Sequence, residues 1–242
     1  MNIALIFAGG VGSRMHVKSR PKQFLELNGK AIIIYTIEHF EYHPQIDGIV
    51  VVCLESWIPY LRGLLEQYRI KKVKWIVPGG KTGQESIRCG LTALWEDNSV
   101  DRDSLVLIHD GVRPLIDGDV ISRNIACASE HGNAVTVTPA IETIISVTKD
   151  DEVKNIYDRN TCRLARAPQT FRLCDIYEAH RKAEEDGKLQ MIDSAMLMSH
   201  YGTSLHVIEG PVENIKITTP SDFYIFKAIC KTKENSQVWG VD

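Results

Sequence analysis

The stretch Ile3-Ala4-Leu5-Ile6-Phe7-Ala8-Gly9-Gly10-Val11-Gly12-Ser13-Arg14-Met15 sets an apolar run directly before a glycine-rich loop. A run of that length suits a buried strand, and the glycines let backbone N–H groups approach a phosphate chain closely. The carboxyl edge of a parallel sheet is where α/β folds bind ligands. Outward from this stretch, short β-branched runs at Gly48–Leu54, Val73–Val77, Ser104–Ile108, Ala134–Thr138 and Ser204–Ile208 alternate with segments of helical period. Trp57, Tyr60, Leu61, Leu64, Leu65 and Tyr68 make one apolar stripe; Ile33, Ile37 and Phe40, and Ile87, Leu91, Leu94 and Trp95, make two more. The alternation predicts an α/β fold, a mostly parallel sheet flanked by helices.

The type of loop needs deciding. A dinucleotide fingerprint requires a third glycine where Met15 stands, and the P-loop ending imitated by Gly80-Lys81-Thr82 requires its first glycine at Trp75. Both are disfavoured, which leaves a different phosphate cradle or a tight turn without ligand. The cations that follow, Arg14, Lys18, Arg20 and Lys22, suit a triphosphate whose charge shifts toward leaving pyrophosphate, or form a solvated basic turn.

Composition narrows the partners. The chain carries 28 Lys+Arg against 31 Asp+Glu, a net charge of −3, so nucleic acid is not the expected partner. Six scattered cysteines without a CxxC pair point to free thiols in a reducing, cytoplasmic compartment. The apolar start lacks a basic flank and is too short for a signal or membrane segment. No repeat or linker divides residues 1–242, which read as one domain. One interruption stands out: residues 144–157 read as two short β-like runs around Lys149-Asp150-Asp151-Glu152, a hairpin arm within about residues 140–160. Such an arm has too little core of its own and needs something to pack on, such as a second subunit. The tail from Lys231 to Asp242 is mostly polar, and its end is expected to be loose.

Farther along, His109-Asp110-Gly111-Val112-Arg113-Pro114 follows the strand run at Ser104–Ile108. An Asp at the end of a buried strand suits Mg²⁺ shared with phosphate oxygens, or it caps a turn. Arg159, Arg163 and Arg166 follow the arm, and Glu213 to Asp222 leads into a last helix that Thr219 or Ser221 caps. His39 and His43 share a helical spacing without the Glu of a zinc protease motif, and read as helix surface.

In order along nearly the whole chain, Ala8 to Met15 with Pro21-Lys22-Gln23-Phe24-Leu25, Gly79-Gly80 before Ser86, His109 to Pro114, Asp158-Arg159-Asn160, Pro168-Gln169-Thr170-Phe171 and Asn214 to Thr218 resemble the cytidylyltransferases that make CDP-polyols. That family includes 2-C-methyl-D-erythritol 4-phosphate cytidylyltransferase and ribitol-5-phosphate cytidylyltransferase. The resemblance implies a Rossmann-like nucleotidyltransferase fold, CTP, Mg²⁺, a polyol phosphate acceptor, and a homodimer that exchanges the arm. By its motifs, Ala8, Gly9, Gly10 and Gly12 bind the triphosphate with the catalytic cations Arg14, Lys22 and Lys216, and Asp110 lies near nucleotide and metal. Gly79, Gly80 and Ser86 line the cytidine pocket. Arg113, Thr143 and Arg159 attend the polyol phosphate, the last two reaching from the partner's arm.

The chain departs from the family pattern at Gly83, Ala167 and Ile192, where an Arg, a Thr and a Thr or Ser are usual. These departures bear on the acceptor. Gly9-Gly10 and Lys22 to Leu25 resemble the ribitol-phosphate branch more than the methylerythritol branch. The expected reaction is CTP with a pentitol phosphate, giving a CDP-polyol and pyrophosphate. The alternatives are methylerythritol-phosphate cytidylylation and a catalytically silent nucleotide-binding scaffold. Retention of Lys22, Asp110 and Lys216 speaks against silence.

Overall fold

A computed structural model describes residues 1–9 and 20–239, with side chains as far as Thr232. Gly10, Gly12 and Arg14 lie outside the described residues, as does the end of the tail.

Seven strands form the central sheet: β1 (Asn2–Ala8), β4 (Gly48–Cys53), β5 (Val73–Pro78), β6 (Leu105–Asp110), β7 (Asn133–Pro139), β10 (Arg163–Arg172) and β11 (Val207–Glu209). Their order is β11-β7-β10-β6-β1-β4-β5. Every neighbouring pair is parallel except those made by β10, which runs antiparallel between β6 and β7. Two short ribbons stand apart, β2 (Glu26–Leu27) with β3 (Lys30–Ala31) and β8 (Ile144–Val147) with β9 (Val153–Tyr157).

The strands are apolar at nearly every position because both faces are covered, and their period of two sorts the side chains into two layers. Ala4, Ile6, Ile49, Val51, Cys53 and Leu107 pack toward α1 (Ile32–Glu41), α2 (Ile58–Gln67) and α4 (Gly118–His131). Ile3, Leu5, Val50, Val52, Val106 and Ile108 pack toward α3 (Gly83–Glu96), α5 (Leu173–Glu185) and α6 (Ser194–His200). The apolar stripes read from the sequence are the inward faces of α1, α2 and α3. Phe24 stacks on Trp57 with ring centroids 4.9 Å apart, so the segment entering β2 is anchored to the start of α2.

Helix α3 lies especially close to the sheet. A Cβ on Gly90 would sit 2.9 Å from both Leu5 and Val52. Gly90→Ala should therefore lower stability by about 1–2 kcal/mol, overpacking outweighing the better helix propensity of alanine. Gly63 on α2 has open space around it, so Gly63→Ala should raise stability by about 0.5–1 kcal/mol. Urea midpoints of the two variants should move in opposite directions.

Residues 144–157 do form the expected hairpin. Its apolar side chains stand in solvent, with Ile156 71% and Val153 57% exposed. Three expectations change. Strand β10 is not among the expected strands, since Pro168 and three arginines mask its pattern. The β6 run begins and ends one to two residues later than expected, so His109 and Asp110 belong to the strand itself. The run at Ser204–Ile208 forms a strand only at Val207–Glu209.

The tail is helical as far as Trp239, within α7 (Pro220–Trp239). Thr219 caps that helix, accepting from the Asp222 backbone at 3.4 Å while Asp222 accepts from the Thr218 and Thr219 backbones. Among the described residues no helix is long and apolar enough to cross a membrane.

Candidate active site

Parallel pairing aligns the ends of β1 and β6, with Phe7 opposite Asp110. The entrance to the glycine loop and the carboxylate are thereby set side by side at the carboxyl edge of the sheet. The Gly111 N–H donates to Phe7 O at 3.0 Å and locks that juxtaposition.

Asp110 is buried and meets two cations. Lys216 Nζ is 2.6 Å from Oδ1, and Arg113 Nε donates to Oδ2 at 2.8 Å. Burial alone pushes the carboxyl upward, but Lys216 and Arg113 outweigh it and hold Asp110 well below the usual carboxylate range. The group is ionised throughout the physiological range.

Neutral neighbours fix the geometry. Arg113 Nη1 donates to Asn214 O at 2.9 Å, and Asn214 Nδ2 donates to Ala167 O at 2.7 Å. The Ile217 N–H donates to Val112 O at 2.9 Å. The segment carrying Lys216 is thus tied both to the turn after β6 and to β10. His109 is buried against Phe40, with Nε2 3.1 Å from Arg113 O. Burial lowers its pKa to about 4, so it is a neutral brace within the turn.

Lys22 joins this group, its Nζ donating to Ile217 O at 3.2 Å. Gln23 Nε2 donates to Ala8 O at 2.6 Å, which ties the segment after the glycine loop back to the end of β1. Arg20 departs from the basic run: it pairs with Glu26 and lies over the Tyr60 ring.

On the other flank, Gly9, Gly79 and Ser86 meet. A Cβ on Gly9 would lie 2.6 Å from Ser86 Oγ, and one on Gly79 would lie 3.0 Å from it. A Cβ on Gly80 would lie 2.3 Å from that of Glu85. These glycines are there because backbone and helix α3 approach more closely than any side chain allows. Thr82, which ended the imitation P-loop, caps α3 by accepting from the Glu85 N–H.

Beside the Asp110 cluster lies a cavity of about 240 Å³. Asp110, Arg113 and Lys216 line one part of it, and residues of α3, α5 and α6 line another. Arg166 also lines it, and its burial and the nearby Arg113 both lower its pKa. With Asp193 counted, three cations face two carboxylates, a balance suited to an anion. Gln84 and Gln169 hold the segment before α6 in place. Gln84 Nε2 donates to Lys188 O and its Oε1 accepts from the Met191 N–H. Gln169 Nε2 donates to Asp193 Oδ2 and its Oε1 accepts from the Ala195 N–H.

The structure therefore brings together Ala8, Gly9, Lys22, Gly79, Gly80, Ser86, Asp110, Arg113 and Lys216. Thr143 and Arg159 are not among them. Both are exposed near the arm, where Arg159 Nη1 donates to Ile141 O at 3.1 Å. The reading of His39 and His43 as helix surface is corrected: His43 is buried beyond the end of α1, 3.1 Å from Gly118 O and 3.0 Å from Ser122 Oγ. His39 is half-buried, 3.1 Å from Pro114 O. Both brace the loop that follows Asp110. Sequence reasoning passed over Gln84, His180 and Ser194, which the packing of α3, α5 and α6 brings to the cavity. No local pattern marks them.

The family model for 2-C-methyl-D-erythritol 4-phosphate cytidylyltransferase, IspD, matches residues 2–232. The chain belongs to the IspD cytidylyltransferase family. Within it, a protein of Vibrio parahaemolyticus named ribitol-5-phosphate cytidylyltransferase is 55% identical over 240 residues, 99% of this chain and 100% of its own. A protein of Syntrophus aciditrophicus named 2-C-methyl-D-erythritol 4-phosphate cytidylyltransferase is 36% identical, covering 96% of this chain and 97% of its own. Among solved structures, the 4-diphosphocytidyl-2C-methyl-D-erythritol synthase of Anaerococcus prevotii superposes with a TM-score of 0.82 at 25% identity, over 96% of each chain. IspD membership makes the chain a nucleotidyltransferase, and the reading as a silent scaffold gives way. Gly83, Ala167 and Ile192, the three departures from the family pattern, all line the one cavity.

Proposed function

We propose that this enzyme transfers the cytidylyl group of CTP to ribitol 5-phosphate, giving CDP-ribitol and pyrophosphate. The observation that carries this reading is the cluster of Asp110, Arg113 and Lys216 at the sheet edge beside the Gly9–Gly79–Ser86 floor. The chain around it is 55% identical to a ribitol-5-phosphate enzyme along its whole length, against 36% for a methylerythritol one.

The chemistry matches these residue types. An acceptor phosphate oxygen attacks the α-phosphorus of CTP, a P–O bond to the β-phosphate breaks, and pyrophosphate leaves with the electron pair. The nucleophile is already ionised, so no strong base is needed; the difficulty is holding two polyanions together. Positioning and positive charge supply most of the catalysis. Lys22 and Lys216 would face the triphosphate with Arg14, and Arg113 would face the acceptor phosphate.

Asp110 fits Mg²⁺ as a single hard carboxylate beside the phosphates, the donor set this ion takes when substrate oxygens and water complete its shell. Asp110 Oδ1 meets Lys216 and Oδ2 meets Arg113, so the carboxylate that would hold the ion stands beside the two cations that would meet phosphate. Mg²⁺ there would neutralise charge on the triphosphate. The exposed arm supports a homodimer in which it packs on the partner and delivers Thr143 and Arg159 to the partner's site. Six free cysteines suit a cytoplasmic setting.

The test is direct: incubate the protein with CTP, Mg²⁺ and a panel of polyol phosphates, and follow pyrophosphate release. Ribitol 5-phosphate should give the highest kcat/KM. A preference for methylerythritol 4-phosphate would reassign the acceptor. The narrow Gly9–Gly79 floor suits one pyrimidine ring, so CTP should exceed ATP and GTP in kcat/KM by at least about tenfold. Equal values for ATP and CTP would remove the cytidylyl assignment.

A further inference from the structure

Beside its charged groups, the cavity is lined by polar side chains that the reaction above does not use. His180 on α5 and Ser194 on α6 line it, and each is only 3% exposed. Neither His180 Nε2 nor Ser194 Oγ has a hydrogen-bond partner among the described residues. Ile87, Met191 and Leu197 line the same cavity. An unsatisfied buried polar atom is costly, and native interiors seldom leave two on one surface without a ligand or water to meet them.

The chemistry of the pair narrows what they meet. Burial, with Arg88 acting in the same direction, lowers the pKa of His180 to about 4, so its ring is uncharged at neutral pH. A neutral imidazole nitrogen serves as donor or acceptor according to tautomer, and a serine hydroxyl does both. Set among aliphatic side chains, such a pair matches alcohol groups and offers no charge to a phosphate. Arg113, Arg166 and Lys216 offer that charge in the same cavity. Gly83 keeps the space open, since a Cβ there would meet only Phe7, at 4.0 Å. Cations and neutral hydrogen-bonding groups lining one cavity suit a molecule that carries both a phosphate and carbinols.

We infer that His180 Nε2 and Ser194 Oγ bind hydroxyl groups of the acceptor's polyol chain and determine which polyol phosphate the enzyme accepts. This rests on the pentitol-phosphate reading and adds to it the side chains that read the sugar alcohol.

The experiment compares His180→Leu, His180→Gln and Ser194→Ala with the wild type, measuring kcat, KM for ribitol 5-phosphate, KM for CTP and Tm. His180→Leu should raise KM for ribitol 5-phosphate about tenfold, the loss of one neutral hydrogen bond in a buried site. Kcat and KM for CTP should stay within about twofold. His180→Gln keeps a polar group at that reach and should recover most of the loss. Because leucine removes an unsatisfied atom, Tm of the free protein should hold or rise. Should His180→Leu fold poorly, Ser194→Ala, a smaller change, should show the same selective rise in KM.

A wild-type enzyme that releases no pyrophosphate with ribitol 5-phosphate overturns the acceptor reading and the inference with it. If the wild type uses ribitol 5-phosphate, three results overturn the inference alone. One is an unchanged acceptor KM in His180→Leu and Ser194→Ala. Another is equal effects of leucine and glutamine. The third is a fall in Tm with no change in KM, which would mean that the pair holds a structural water.

Discussion

Asp110→Asn should cut kcat at least 10²–10³-fold, the scale set by removing one preorganised charged group from a transition-state site. Asparagine keeps the shape and part of the hydrogen bonding but leaves Lys216 and Arg113 without the carboxylate that joins them at 2.6 and 2.8 Å. The loss should be only partly recovered at high Mg²⁺, since the weakened ligand can be offset by concentration but the cation positions cannot. A second consequence is thermodynamic. Removing the carboxylate should cost about 2–4 kcal/mol, below the full buried-pair penalty, because Arg113 stays buried while Lys216 is 39% exposed and met by water.

The pH dependence carries its own sign. Asp110 is held below its ordinary value when folded, so the unfolded chain takes up its proton first, near pH 3.9. The stabilisation it provides is present above that pH and is lost as pH falls toward the folded value. Wild-type stability should therefore fall below about pH 4 more steeply than that of Asp110→Asn. If turnover per folded molecule is unchanged while Tm falls, Asp110 is only a structural link, and both the metal role and the charge argument fail.

The ligand-facing edge of the fold was legible for a simple reason. A sheet buried on both faces writes continuous apolar runs, and the strands they become, β1, β4 and β6, end at Ala8, Cys53 and Asp110, so the loops that follow share one edge. The arm was legible too, because Lys149 to Glu152 breaks the helical period between two β-like runs. Strand β10 was not. Its Arg163-Leu164-Ala165-Arg166-Ala167-Pro168 half lacks alternation, and it becomes a strand only because β6 and β7 offer unpaired edges on either side.

The same limit explains His43 and His180. Spacing shows which residues share a helix face but not what covers it. His43 is buried by Gly118 and Ser122, some 75 residues away in sequence, and His180 by the return of α6. Arg20 erred in the other direction: it sits among cations in sequence, yet Glu26 lies within reach once the chain turns at Lys22–Phe24. Residues joined to the site by backbone motifs could be read. Those joined by side-chain packing could not.

Mixing two inactive variants should restore activity. Lys22→Ala alone should lower kcat by roughly 10²–10³, the usual loss when one preorganised charge stabiliser goes, because its ammonium stands 3.2 Å from Ile217 O, next to Lys216. Arg159→Ala should be damaged for a different reason. In its own chain Arg159 is exposed and, among the described residues, its side chain donates to Ile141 O alone, so the proposed role in catalysis calls for the arm to cross to a partner. The apolar surface of Ile145, Val153 and Ile156 would supply the attraction for that crossing, since an isolated two-stranded ribbon is barely stable in water. In a heterodimer of the two variants one site then carries both lesions and the other neither. Random mixing of equal amounts makes about half the dimers heterodimeric, so about a quarter of all sites are intact, as two-fold symmetry dictates. Co-expression or subunit exchange should therefore recover about a quarter of wild-type turnover where each parent shows almost none. Were both residues to serve the same chain, no mixing could assemble an intact site, and activity would stay at the mean of the two parents. The arm-exchanged dimer would then be wrong, while the cluster of Asp110, Arg113 and Lys216, which lies within one chain, would stand.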